Sequence, residues 1–116
     1  MKVHHQNKSV LLDTGASKSC VSSKFLSQNK LTPNPLPPDD AVQLYTADDS
    51  PLRVLGTVDL DVNIQGLSIP HTFLVVDSLF QNIIFGMDFF ARSQACIDFV
   101  RRHISFYDGL VTVQLL

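Results

Sequence analysis

The amino-acid sequence predicts a mainly β fold with one short helix near its C-terminal end. Residues 54–65 alternate between apolar and polar side chains, a period of two that is typical of a half-buried strand. Four of the six prolines fall within residues 32–40, which predicts an extended surface loop rather than a central strand. Residues 86–95 form the most helix-like stretch, with Asp88 near its start, where an acid suits the helix dipole.

The alternating strand is predicted to continue into a hairpin. Gly56 interrupts its apolar face, which indicates a bulge or a close backbone approach. Residues 65–66 are Gln-Gly, a turn signal, and residues 71–76 form the next predicted strand, with Phe73 and Val75 on one face.

Three further strands are predicted at the C-terminal end, over residues 97–100, 103–107 and 110–115. The dipeptide Asp108-Gly109 is a hairpin-type turn between the last two. A short helical turn is predicted over residues 23–28, with Ser22 or Ser23 as its cap. In the helix predicted over residues 86–95, spacings of three and four residues predict one apolar face, formed by Met87, Phe90 and Ala91.

Length and composition predict one globular domain over residues 1–116. The apolar content is 45% and the charged content 17%, values of a folded rather than a disordered chain. The net charge of −2 does not favour nucleic-acid binding, and a solvated strand end explains the basic cluster at residues 101–103. The longest apolar runs are too short for a membrane span, and residues 1–9 do not read as a signal peptide.

The cysteines and histidines do not form a recognisable metal site. Cys20 and Cys96 lack Cys-x-x-Cys spacing, so we interpret them as thiols in a reducing compartment, although a disulfide is an alternative. No two of the four histidines form a metal pair with Cys or acidic partners. We therefore predict no metal and no cofactor.

The tripeptide Asp13-Thr14-Gly15 places a carboxylate at a glycine turn, directly after an apolar run at residues 10–12. By itself it is a weak signal, because the same tripeptide occurs in many unrelated turns. Much later, residues 83–90 contain an apolar pair closed by glycine and followed by helical sequence. We expect this second segment to form a strand packed beneath the Asp13 turn.

Together the two segments resemble the retroviral-type aspartic proteases, most closely those of gypsy- and BEL-type LTR retrotransposons. Residues 11–17 and 84–89 carry the resemblance, which spans residues 8–107. It implies the retropepsin-like acid-protease fold, a closed β-barrel with a flap hairpin and one short C-terminal helix. The flap is expected around residues 42–56, with its tip at residues 47–50.

The chemistry of such a protein needs two carboxylates. They share one proton, so that one acts as a base toward water while the other acts as an acid. The sequence contains a single Asp-Thr/Ser-Gly, so one chain supplies half of the pair. A C2 homodimer with Asp13 from each copy is the simple solution, and the resemblance implies the same. We expect an aspartic endopeptidase that is favoured at acidic to mildly acidic pH.

The resemblance also implies roles for single residues. Asp13 supplies the catalytic carboxyl, the Thr14 hydroxyl bonds across the dimer axis, and Gly15 allows a tight backbone approach. Substrate binding is expected of the following loop, the flap and the pocket walls, namely Ala16, Ser17, Tyr45, Ala47, Asp48, Asp49, Phe80, Asn82 and Ile84. Core packing explains the last three equally well, and Tyr45 reads equally well as a surface aromatic. Asp88 either bonds the active-site loop or caps the helix.

The implied partners are a second copy of the chain and a polypeptide substrate, the polyprotein of a retroelement. Residues 110–116 are expected to pair in the dimer, with residues 1–9 as a second candidate. The expected location is the cytoplasm, including virus-like particles. The alternative is a catalytically silent or cellular protease-like dimerisation domain of the ubiquitin-shuttle type.

Overall fold

The structure is a computed structural model that describes residues 1–3, 6–36, 44–45, 51–77 and 79–116, with the main chain alone at residues 6, 7, 44, 45 and 51. The strands are β1 Lys2–Val3, β2 Gln6–Asn7, β3 Leu11–Leu12, β4 Cys20–Ser22, β5 Leu44–Tyr45, β6 Pro51–Leu52, β7 Val54–Ile64, β8 Leu67–Val76, β9 Ile83–Phe85, β10 Cys96–Asp98, β11 His103–Phe106 and β12 Val111–Gln114. The helices are α1 Ser23–Gln28 and α2 Met87–Arg92.

Seven of these strands form one sheet in the order β2-β1-β7-β8-β4-β9-β3. Its centre is the long antiparallel hairpin of β7 and β8. Strand β4 pairs in parallel with β8, and β3 pairs in parallel with β9. Strands β10, β11 and β12 form a second sheet, and β5 pairs with β6. The large sheet curls into a half-barrel, and the predicted mainly β fold class is confirmed.

The central hairpin follows directly from the alternating sequence. Its even-numbered residues from Val58 to Ile64 are buried, as the period of two predicts. Gln65 and Gly66 both have positive φ, 51° and 89°, the combination that a type I′ turn needs. The register shifts between Val54 and Gly56, so the predicted bulge is present.

Gly56 is also the point where the proline-rich loop meets the sheet. A side chain at this position would overlap the carbonyl oxygen of Asn34. Asn34 and Thr57 exchange two backbone hydrogen bonds, of 2.7 and 2.8 Å. The start of the predicted extended loop is therefore bound to the strand, while residues 37–40 lie outside the described part of the chain.

Among the residues that the structure describes, two groups of apolar side chains are buried. The larger contains a stack of aromatic rings, in which Phe85 and Phe89 have centroids 4.2 Å apart and Phe73 and Phe106 pack nearby. The smaller group consists of Cys20, Leu74 and Val76, with Leu52, Val54 and Leu79 packed against it. Strands β4 and β8 therefore carry buried side chains on both faces.

The helices differ in how well the sequence predicted them. Helix α1 has the predicted bounds, and Ser22 is its cap, because its hydroxyl accepts the N–H of Phe25 at 3.1 Å. The predicted apolar face of the second helix is confirmed for Phe90 and wrong for Met87 and Ala91. Met87 is 47% exposed and Ala91 is exposed, whereas Phe89 and Phe90 are buried. The stacking of Phe89 on Phe85 decides how this short helix is rotated.

Strand β10 ends at Asp98, two residues before the predicted end. The Asp98 carboxylate accepts the N–H groups of Val100 and Arg101, at 3.0 and 2.9 Å, and so turns the chain. Phe99 and Val100 are consequently exposed at the turn. Neither helix of the described segments is long and apolar enough to cross a membrane.

Replacing Phe89 with alanine should lower the free energy of unfolding by about 3–5 kcal/mol, since it removes a fully buried ring from the aromatic stack. Met87→Ala on the same helix is the matched control and should change it by less than about 0.5 kcal/mol. Urea unfolding at one fixed protein concentration measures both. A larger loss for Met87→Ala than for Phe89→Ala would contradict the observed helix face.

Candidate active site

Asp13 lies directly after β3, at the start of a tight turn. Its backbone N–H donates to the carbonyl oxygen of Phe85 at 2.9 Å, which continues the pairing of β3 with β9. Its carboxylate oxygen Oδ1 accepts the N–H of Gly15 at 3.0 Å, and its carbonyl accepts the N–H of Ala16 at 3.1 Å. The carboxylate of Asp13 is therefore held at a strand end by its own turn, with partial exposure to solvent.

The segment after β9 closes on this turn, as predicted. The N–H groups of Met87 and Asp88 donate to the carbonyl oxygens of Ala16 and Ser17, at 2.8 and 3.2 Å. A Cβ atom on Gly86 would lie 2.7 Å from the carbonyl oxygen of Lys18 and 2.8 Å from that of Ala16. Glycine at position 86 is required because the two backbones approach so closely.

Asp88 makes the main side-chain contact between the two segments. Its Oδ1 accepts the Ser19 hydroxyl at 2.7 Å and the N–H of Phe89 at 2.8 Å. The Ser19 hydroxyl oxygen in turn accepts the N–H of Gly86 at 2.9 Å. Asp88 thus bonds the active-site loop and also accepts an N–H in the first turn of its own helix, but it is not the cap, because the N-cap position is Gly86.

The second oxygen of Asp88 contacts His71 on β8, whose Nε2 lies 3.1 Å from Oδ2. The His71 ring packs edge-on against Phe73 and Phe89, with centroid distances of 5.2 and 5.3 Å. Neither His71 nor Ser19 was predicted from the sequence as a site residue. The available signal was that position 71 falls on the buried face of its strand, where a polar side chain needs a partner.

The Asp88 and Asp13 carboxylates also act on Cys20, which begins β4 and is buried. Burial, followed by the negative charges of Asp88 and Asp13, raises the pKa of the Cys20 thiol from 9.0 to about 11. Cys96 is exposed, and both cysteines are free thiols.

The other predicted site residues differ in their exposure and in the strands to which they are bonded. Thr14 and Ser17 are exposed. Ile84 is half-buried on β9, in register with Leu11 and Cys20. Asn82 is tied to β4, because its Oδ1 accepts the Ser22 hydroxyl at 3.2 Å and its carbonyl accepts the Ser22 N–H at 2.9 Å.

The remaining predicted site residues are Phe80 and those of the flap. Phe80 is 92% exposed, so core packing does not explain it. Strands β5 and β6 pair antiparallel, with Tyr45 opposite Pro51, which agrees with the predicted flap arms. The predicted tip residues Ala47, Asp48 and Asp49, and the side chain of Tyr45, lie outside the described residues.

Thr14 also lines a groove of about 560 Å³ on the side where both ends of the chain lie. The groove is formed by side chains of the N-terminal segment, β3 and the C-terminal strands, including Leu12, Ile97, Phe99, Val113 and Leu116. The turn that carries Asp13 therefore borders a largely apolar surface. Within the described ranges, no three His, Cys, Asp or Glu side chains cluster in a way that could hold a metal ion.

The family model of the retroviral aspartyl proteases matches residues 1–110. The chain belongs to the retroviral aspartyl protease family. No curated protein matches its sequence significantly.

Solved structures show that this family member shares its fold with proteases and protease-like domains. It is similar to the retroviral protease-like domain of Ddi1 from Leishmania major, with a TM-score of 0.73 and 18% identity, covering 99% of this chain and 89% of that one. It is also similar to the EIAV protease complexed with the inhibitor HBY-793, with a TM-score of 0.59 and 19% identity, covering 77% of this chain and 79% of that one. The aspartic-protease fold expected from the sequence is confirmed.

Cys20 should be alkylated far more slowly than Cys96 in the folded protein. A thiol with a pKa of about 11 instead of 9.0 holds about a hundredfold less thiolate at pH 8, and burial adds a barrier to access. Because the thiol ionises with a pKa near 9.0 when unfolded and about 11 when folded, the free energy of unfolding should be greatest below pH 9 and fall as the pH rises from 9 toward 11. Iodoacetamide labelling with peptide mass spectrometry measures the two rates, and urea-unfolded protein is the control. Equal labelling of the two thiols in the native protein would contradict the burial of Cys20.

Proposed function

We propose that residues 1–116 act as one domain, half of a homodimeric aspartic endopeptidase in which Asp13 of each subunit jointly activates a water molecule. The single observation that carries this proposal is the placement of the only Asp-Thr-Gly. It lies in a turn braced by β9 and α2, and it borders the apolar groove at the chain ends. Membership of the retroviral aspartyl protease family supports the same reaction class.

The mechanism follows from two carboxylates that cannot both ionise at close range. One proton is shared, the ionised carboxyl removes a proton from water, and the other protonates the oxygen of the scissile carbonyl. The two carboxyls titrate as a pair and not as separate groups. The plot of cleavage rate against pH should therefore have two limbs, which belong to the dimer and not to either subunit alone. Thr14 is exposed in the single chain. In the proposed dimer its hydroxyl reaches across the axis and stiffens the two turns.

The substrate is an extended polypeptide, and in the proposed role it is the polyprotein of a retroelement. It lies between the active-site loop and the flap and pairs as an added strand, which supplies affinity through its backbone. Ala16 and Ser17 border it below, and the flap, with Tyr45, Ala47, Asp48 and Asp49, covers it. Phe80, Asn82 and Ile84 form the side-chain pocket walls. The exposure of Phe80 supports this, because its ring has surface to offer a ligand. Processing of this kind places the protein in the cytoplasm or in virus-like particles.

The groove beside Thr14 supports a second copy as the dimer partner. Its lining includes Phe99, which is 80% exposed, and Leu116, which is also exposed. The copy that brings the other Asp13 to the axis must approach on the side of Thr14. The apolar terminal segments around the groove would then be buried by that approach, which removes apolar area from water.

A second candidate is a cellular protease-like domain that dimerises without cutting. One observation favours it: the fold likeness to the Ddi1 retroviral protease-like domain covers 99% of this chain, whereas the likeness to the EIAV protease covers 77%. The two candidates differ in one result only. Both predict a dimer, and the first alone predicts hydrolysis that depends on Asp13.

Replacing Asp13 with asparagine should abolish peptide cleavage, by about a thousandfold or more, because both carboxyls of the pair are replaced by amides that cannot share a proton. Dimerisation should persist, since the change keeps the size of the side chain. Asp108→Asn, in an exposed turn, is the matched control and should cleave normally. Cleavage of a peptide library and of a retroelement structural precursor, with mass spectrometry, measures the loss. Undiminished cutting by Asp13→Asn overturns the enzymatic proposal, and a wild type that dimerises but never cuts favours the second candidate.

Phe99→Ser should weaken the dimer by about tenfold or more, because C2 symmetry removes the buried ring twice. Val100→Ser is the matched control, since Val100 is the next residue in the same turn and is 94% exposed but does not line the groove. Sedimentation velocity over a range of concentrations measures both dimer affinities. Equal dimer affinities for the two variants would place the dimer contact elsewhere.

A further inference from the structure

We propose that His71 is a positioning residue for hydrolysis. In this proposal its ring N–H fixes the carboxylate of Asp88, which holds the Asp13 loop through Ser19. The inference rests on the proposed function, because it concerns the same site. It adds a residue from the middle of β8, far from the Asp-Thr-Gly in sequence, that contacts neither water nor substrate in the mechanism.

The first step is the contact between His71 and Asp88. A carboxylate can only accept hydrogen bonds, so the bond at 3.1 Å needs the proton on Nε2 of His71. The His71 side chain is only 9% exposed, and the rings of Phe73 and Phe89 pack edge-on against its ring. The donor therefore has one fixed direction, toward Oδ2 of Asp88.

The second step is the position of Asp88 between three elements. Its side chain is 22% exposed. Its two oxygens accept hydrogen bonds from β8 through His71, from the active-site loop through Ser19, and from α2 through the Phe89 N–H. Without the donor on His71, Oδ2 would lose its protein hydrogen-bond partner, and only solvent on its exposed side could replace it. The carboxylate would then rotate toward solvent and weaken its bond to Ser19.

The third step leads from Ser19 to the catalytic carboxyl. The Ser19 hydroxyl accepts the N–H of Gly86, the residue directly after Phe85. The carbonyl of Phe85 accepts the N–H of Asp13 at 2.9 Å, and the N–H of Met87 bonds the carbonyl of Ala16 at 2.8 Å. A displaced Ser19 therefore shifts the backbone that determines where the Asp13 carboxyl points at the dimer axis.

If His71 contributed only the packing of its ring, a variant that keeps an aromatic ring would keep the activity and a variant without one would lose it. Two variants separate this packing role from a role as hydrogen-bond donor. His71→Phe keeps an aromatic ring against Phe73 and Phe89 but has no donor. His71→Gln loses the ring but can place an N–H near the position of Nε2. Thr72→Val is the control for the strand, since Thr72 is exposed on the opposite face of β8 and bonds Asp59.

The test measures kcat and KM at a protein concentration at which each variant is fully dimeric. His71→Phe should lower kcat by about 10- to 100-fold with little change in KM, because a misplaced catalytic group affects the chemical step. His71→Gln should keep most of kcat, and Thr72→Val should match the wild type. Wild-type kcat in His71→Phe overturns the proposal, as does a His71→Gln enzyme that is as impaired as His71→Phe.

Hydrogen exchange tests the same inference without activity. The amides of Gly86 and Met87 should exchange about tenfold faster or more in His71→Phe than in His71→Gln, while the Thr57 amide, bonded to Asn34, stays unchanged. Equal exchange in the two variants, or a rise that includes Thr57, overturns the positioning role. If the wild type does not cleave any substrate, the proposed function fails while the exchange measurement still decides the role of His71.

Discussion

The candidate site depends on the hydrogen bonds that the carboxylate of Asp88 accepts. This carboxylate bonds Ser19, 69 residues earlier in the chain, and so connects the active-site loop to the helix that follows β9. Bonds to a charged acceptor of this kind contribute about 1.5–3 kcal/mol each, and leaving such an acceptor without a donor costs more than the bond contributes. The close approach at Gly86 makes the arrangement sterically possible, because any side chain there would collide with the loop. The orientation of Asp13 is therefore a property of two distant segments rather than of the Asp-Thr-Gly alone.

Features set by neighbours in sequence were predictable. The alternation of β7, the bulge at Gly56 and the turn at Gln65 and Gly66 depend on local chemistry, and the structure has all three. The buried face of α2 was not predictable, because a six-residue helix has too few positions for its period to define one face. Its rotation depends on the ring stack with Phe85, a tertiary contact. The Asp13 turn and its strand partner were found through their motifs, whereas Ser19 and His71 were missed, since only folding brings them to Asp88.

The two buried groups give the site support from opposite sides. The larger group places Phe85 and Phe89 directly behind the active-site loop, so the backbone that bonds Asp13 is anchored in the main core. The smaller group joins Leu52 of the second flap arm to Cys20 on β4 and Leu74 on β8. Strand β6 therefore packs on the strand that follows the Asp13 turn.

In the proposed enzyme, two copies of the chain make one catalytic centre, with one Asp13 from each. The most direct measurement is a titration of the purified protein with a tight-binding transition-state inhibitor of aspartic proteases, followed by calorimetry and by loss of cleavage. Saturation is expected at one inhibitor for every two chains, with Asp13→Asn binding far more weakly. Saturation at one inhibitor per chain, or tight binding that is unchanged in Asp13→Asn, would contradict the shared centre.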